Sequence, residues 1–171
     1  MKTNMNRKGI SNVVATIILI AVAIALAVAV AVWVFGLAGS SAKTATLQIQ
    51  AIGLTGVSSG SSATLTLLIS NPSSSGIGIN GFTLGSLSCV FSSPVQVPAG
   101  TQGGELTITL TITNGAFTGV SGVAGSGGVT VPSGITATCS GSQTAAVGIQ
   151  YSGYLTTVSG QTYPYTVTAT S

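Results

Sequence analysis

Two patterns of apolar and polar positions divide the chain. From Val13 to Ala38 it is apolar almost without interruption, and Thr16 is the one polar side chain inside that run. From Leu47 onward apolar residues recur at every second position instead. A continuous apolar run of about 26 residues is too long for a strand and predicts a helix. At 1.5 Å per residue it rises roughly 39 Å, enough to cross the ~30 Å hydrocarbon core of a bilayer with some tilt. Lys2, Arg7 and Lys8 precede the run, so this flank is expected on the cytoplasmic side and the remainder outside.

The period-two region predicts strands. Its clearest stretch is Leu106–Thr113, four apolar residues alternating with four Thr. Further strands are expected at Leu47–Ala51, Ala63–Ile69, Val129–Val131, Ile135–Cys139, Ala145–Tyr151, Tyr154–Val158 and Tyr163–Thr170. Pro164 marks the last as an edge strand or a broken one. Asn114-Gly115 and Asn80-Gly81 both read as type I′ hairpin turns, because Asn-Gly accepts the positive φ angles that such turns require. Gly119–Gly128 reads as a loop, and Gly36–Ser41 as the helix end and linker. The fold class expected is α+β: a long hydrophobic N-terminal α-helix, then an all-β, immunoglobulin-like antiparallel sandwich.

Composition narrows the chemistry. Charged residues make up 3% of the 171 residues: Lys2, Arg7, Lys8, Lys43 and Glu105. There is no His and no Asp. Proton-transfer catalysis needs a titratable group beside the reacting atoms, and metal sites need clustered His, Cys, Asp or Glu. Neither requirement is met, so no enzyme, metal or cofactor is expected. The basic residues crowd the N-terminus and form no patch, so no nucleic-acid partner is expected either. Gly76-Ile-Gly78-Ile-Asn-Gly81 matches the dinucleotide fingerprint in letters, but a strand-like Phe82-Thr-Leu84 follows where that motif needs a helix. Glu105 and Lys43 read as solvated charges. Trp33 and Phe35 suit a membrane interface or packing at the helix end. Tyr151, Tyr154, Tyr163 and Tyr165 suit either an adhesive surface or cross-strand packing.

Cys89 and Cys139 are a candidate disulfide on the exported side of the membrane, where oxidation is permitted. The alternative is two buried thiols. A bond would close a loop of about 50 residues, contributing roughly 4 kcal/mol in the chain-entropy account. Abundant Ser and Thr permit O-linked glycans. The N-linked sequon is approached only at Asn71-Pro72-Ser73, where the central Pro disqualifies it.

Arg7-Lys8-Gly9-Ile10-Ser11, followed by the long apolar run, resembles the class III signal of archaeal type IV pilins and the related archaellins. The resemblance implies cleavage between Gly9 and Ile10 by a prepilin peptidase, with Lys8, Gly9 and Ile10 as its determinants. Residues 1–9 would then be the removed signal, 10–39 the assembly and transmembrane helix, and 40–171 the extracellular domain. It further implies that the helix passes from the membrane into the core of a helical homopolymer, with Val13, Ile17, Ile20, Ile24, Val28, Val32 and Phe35 as core positions. An assembly ATPase and a membrane platform would be partners. The bacterial version fits poorly, since Val14 stands where bacterial pilins carry Glu. The function expected is that of a major subunit of an adhesive extracellular pilus. An archaellin of a swimming filament is one alternative, and a monomeric membrane-anchored surface binding protein is another.

Overall fold

A computed structural model describes the backbone of residues 6–41 and 46–171. The chain forms two compact units, residues 1–43 and 44–171.

The first unit is a single α-helix, α1, Asn6–Ser41. It begins before the apolar run and continues past Gly36 and Gly39, where the sequence suggested a linker. Each Gly costs a helix only about 1 kcal/mol relative to Ala. No Pro follows to remove a hydrogen bond, and extending an existing helix is far easier than nucleating one. Within α1 the Thr16 hydroxyl donates to the Asn12 carbonyl at 2.8 Å, which satisfies that hydroxyl inside its own helix.

The second unit is a two-sheet antiparallel sandwich of immunoglobulin-like style, and the chain as a whole is α+β. Its strands are β1 Gln48–Thr55, β2 Ser62–Ser70, β3 Ile77–Leu84, β4 Leu87–Val97, β5 Gly104–Thr113, β6 Ala116–Ser126, β7 Ala137–Ser140, β8 Gln143–Thr144, β9 Gln150–Thr157 and β10 Thr162–Thr168. One sheet has the order β1-β2-β5-β6-β8 and the other β10-β9-β3-β4-β7. Alternation in sequence becomes alternation in burial. In β5 Leu106, Ile108, Leu110 and Ile112 are buried, and the intervening Thr side chains are not. In β2 Leu65, Leu67 and Ile69 face the same core, and Phe82, Leu84, Val95 and Leu155 meet them from the other sheet. Burying each such side chain is worth about 1.5–3 kcal/mol, and this core holds the domain together.

Both lateral edges are tied. Thr170 N–H donates to the Leu54 carbonyl at 2.7 Å, linking the chain's last residues to β1. At the opposite edge the short β7–β8 connection passes from one sheet to the other, and the Ser86 N–H donates to Gln143 Oε1 at 2.9 Å. Asn71 is fully buried and joins two loops: its amide donates to the carbonyls of Ser75, Val97 and Pro98, and its Oδ1 accepts from the backbone and hydroxyl of Ser73. The residue at the failed sequon is therefore a structural one.

Several expectations need correction. Asn80-Gly81 is not a turn; it lies within β3, and the β3–β4 hairpin turns at Gly85-Ser86. The register there steps from Ile79↔Val95 to Gly81↔Val90, so four residues of β4, Phe91–Pro94, stand against Asn80 alone in a bulge whose Phe91 still faces the core. A Cβ on Gly81 would collide with the Cys89 carbonyl oxygen, so the glycine is required by close strand approach and not by a turn. Gly119–Gly128 is mostly strand β6, not a loop. Val129–Val131 contributes one bridge, Thr130 to Gln96. Strand β9 begins at Gln150, so Ala145–Ile149 lies outside it, and Tyr151 and Tyr154 share one strand. By contrast Asn114 and Gly115 have φ of 51° and 74° and join β5 to β6 in the expected two-residue turn. Strand β10, carrying Pro164, is an edge strand of its sheet.

Candidate assembly helix

The feature that sets this chain apart is the surface of α1. Over Ser11–Leu37 its mean hydropathy is 3.2, and none of it is buried. Phe35 is 78% exposed, Leu19 70% and Trp33 66%. The seven candidate core positions, Val13, Ile17, Ile20, Ile24, Val28, Val32 and Phe35, recur at intervals of three and four and so share one face. Leu19, Leu26, Val30 and Trp33 lie on the opposite face and are apolar and exposed as well. No polar stripe marks one side for water. A helix apolar on every side needs lipid or protein all around it. Such an N-terminal helix is compatible with a membrane anchor or a signal sequence, with residues 11–37 long enough to span.

Ala occupies every second position from Ala21 to Ala31. At 100° per residue these small side chains are distributed around the helix, lowering its radius between the larger residues and allowing neighbours to approach closely. Lys8, Gly9 and Ile10 fall in the first turns of α1, so the candidate cleavage bond lies inside continuous helical backbone. Lys43 lies outside the described residues.

Among the described residues no three His, Cys, Asp or Glu side chains gather. Three surface clefts are lined by Gln48, Ser70 and Thr101, by Gly78, Pro94 and Val158, and by Val120, Val123 and Ile135. None of the three contains an ionisable side chain. Gly76, Gly78 and Gly81 do not form a phosphate-binding loop, because β3 begins directly after Gly76, runs through Gly78 and Gly81 and leads into β4. A Cβ on Gly78 would lie 2.9 Å from Val158 and 3.2 Å from Pro94, so packing accounts for this glycine. The Glu105 carboxylate accepts a hydrogen bond from the Thr107 hydroxyl at 3.2 Å on the outer sheet face.

The four Tyr separate by position. Tyr165 is buried and donates to the Thr83 carbonyl at 2.6 Å, and burial raises its phenol well above the ordinary value. Tyr151 is buried against Phe117 and donates to the Thr144 carbonyl. Tyr154 is 53% exposed, and Tyr163 on β10 donates to Gln161 Oε1 just before that strand. Two of the four therefore belong to the interior and are unavailable to an adhesive surface.

Cys89 and Cys139 form a disulfide, with S–S 2.04 Å and Cα–Cα 4.1 Å. They are direct cross-strand partners on β4 and β7. The bond thus ties a four-residue edge strand to its neighbour within one sheet, unlike the inter-sheet bond of antibody domains.

Comparison with protein-family models gives no match, and comparison with the curated proteins gives none.

Proposed function

We propose that this chain is the major structural subunit of an extracellular adhesive filament of the archaeal type IV pilus kind, polymerising through α1. The observation that carries the reading is the complete exposure of a helix apolar on all sides, joined to a folded domain with its own closed core. The domain has buried its apolar groups internally. The helix has not, and in water each large side chain from Val13 to Leu37 represents about 1.5–3 kcal/mol of burial still to be made.

Two environments meet that demand in succession. Before assembly the bilayer surrounds the helix, with Lys2, Arg7 and Lys8 holding its start at the cytoplasmic face. Trimming between Gly9 and Ile10 by a prepilin peptidase removes these charges and the cost of moving them. Lys43 and Glu105 then remain, one charge of each sign. Helices of identical chains replace lipid as neighbours, driven by an assembly ATPase and a membrane platform. The sandwich forms the outer sheath at the cell surface. Its hydroxyl-rich exterior suits contact with surfaces and offers acceptors for O-linked glycans.

A second reading is favoured by the same length of helix: a monomeric anchored protein whose helix stays in lipid. The deciding experiment is mass analysis of the native N-terminus with electron microscopy of shed surface material. A chain beginning at Ile10 within thin filaments is expected. An intact chain from Met1, solitary in the envelope, sinks the proposal. Deletion of the gene with loss of swimming, and not of attachment, would assign the filament to the archaellins.

A further inference from the structure

The helix runs unbroken through the bond between Gly9 and Ile10, and this has a consequence for trimming. In an α-helix each N–H donates to the carbonyl four residues earlier. The N–H groups of Ile10, Ser11, Asn12 and Val13 are therefore held by the carbonyls of Asn6, Arg7, Lys8 and Gly9. A cut after Gly9 removes all four acceptors together. The remaining donors then face an apolar surround, where unpaired backbone groups are strongly disfavoured.

Immediately after this bond stand Ser11 and Asn12. Within a continuous helix they are poor choices, since Ser and Asn are weaker helix formers than Ala. At the first position of a helix they rank among the best, because their side-chain oxygens accept N–H groups two or three residues ahead. The next polar side chain is Thr16, whose hydroxyl is already occupied by the Asn12 carbonyl. Two side chains suited to an end, and poorly suited to a middle, thus occupy the positions that cleavage turns from middle into end.

We propose that Ser11 and Asn12 are positioning residues that terminate the trimmed helix, replacing the acceptors lost with residues 6–9. Ser11 Oγ accepts the N–H of Val13 or Val14, and Asn12 Oδ1 accepts that of Val14 or Ala15 when the first residue frays. Each cap satisfies one donor at the start of the trimmed helix, lowering the cost of holding that start within the apolar core. The inference rests on the pilin reading, because only trimming at Gly9 creates the need.

The test compares the full chain with a chain trimmed to begin at Ile10, each in detergent micelles, as wild type and as the double variant Ser11→Ala/Asn12→Ala. Amide hydrogen exchange is read at Val13, Val14 and Ala15. In the trimmed chain the double variant is expected to exchange at least about fivefold faster than wild type, the size of one lost cap. In the full chain it is expected to exchange as slowly as wild type or more slowly, because Ala is the better helix former. Ser11→Thr is expected to restore protection in the trimmed chain when Asn12 is Ala. Equal exchange of the two trimmed chains overturns the proposal. So does equal acceleration in the full chain, which would mark a general structural role. Native protein that begins at Met1 overturns both this inference and the pilin reading. Insensitivity of the trimmed chain overturns this inference alone.

Discussion

The helix and the sandwich are both rich in apolar residues, yet they spend them in opposite directions. In the sandwich, period-two alternation lets each strand turn one side inward, so Leu65, Ile79, Leu106 and Leu155 are completely buried. In α1 there is no alternation to exploit at the helical period, and Ile17, Leu26 and Val32 are as exposed as a helix allows. Apolar content therefore does not decide whether a segment completes its own fold; the arrangement of that content does. The sandwich is finished as a monomer. The helix is finished only when lipid or protein surrounds it.

The largest expected effect breaks this contrast from the helix side. Ile24→Arg places a charge at the middle of the apolar run, at about 2.5–3.5 kcal/mol for insertion alone, and a helix bundle accommodates it less well than lipid does. Under the proposed function, filaments are expected to vanish from electron micrographs. The sandwich should melt at its wild-type temperature, because the two units are separately compact. A lowered melting temperature would show that the sandwich depends on the helix after all.

From the other side, Cys89→Ala/Cys139→Ala removes the tie between β4 and β7. The closed loop of about 50 residues predicts a loss of roughly 4 kcal/mol in the chain-entropy account, read from denaturant unfolding of the sandwich. Membrane insertion of the helix should not change. A loss well below 1 kcal/mol would mean that β7 is held by its backbone pairing alone. Next in size, Asn71→Ala takes its amide donor from the buried Val97 carbonyl, at about 1–3 kcal/mol, while the Ser75 and Pro98 carbonyls keep the Ser73 and Thr101 hydroxyls as donors. Its effect should be confined to the sandwich as well, in the same unfolding experiment.

These contrasts also explain what was readable in advance. The helix was legible because nothing interrupts it, and β5 because four Thr and four apolar residues alternate without error. Strand β6 was not, although it is one of the longest strands. Its inward side chains are Phe117, Val120 and Val123, three residues apart. The register shifts opposite Thr109–Leu110 and Thr111–Ile112 insert Ser121 and Thr118 as bulges. Each bulge adds a residue, converting a spacing of three into successive inward positions. With Gly119 and Gly122 on the outward side, such a strand looks like a loop. Strand β4 was hidden for a related reason: Val90 points outward, and Phe91–Pro94 form the bulge that lets Pro94 sit in a strand. Asn80-Gly81 misled because Gly81 serves strand approach where turn chemistry would use the same dipeptide. At the candidate site, the exposure of the helix followed from its pattern. Its continuity through Gly9 did not, since Gly ordinarily signals a boundary.

The smallest effect expected near neutral pH sharpens the comparison through what the sandwich lacks. Glu105 is the only acidic side chain in the whole chain, so acid has almost no paired carboxylates to protonate, and proton-linked destabilisation should be slight from neutral to acidic pH. The alkaline side differs because of Tyr165. Burial raises its phenol above the unfolded value of about 10. Above that pH the unfolded chain releases the proton while the folded chain keeps it, so the unfolded state binds fewer protons and stability falls as pH rises. Melting temperatures of the sandwich are therefore expected to stay level from acidic to mildly alkaline pH and to decline beyond about pH 10. Tyr165→Phe should flatten most of that decline, at a neutral-pH cost of about 1–3 kcal/mol for the half-buried Thr83 carbonyl that loses this donor. A steep loss of stability in acid would contradict the account, because it would require a titrating network that one carboxylate on an outer sheet face does not provide.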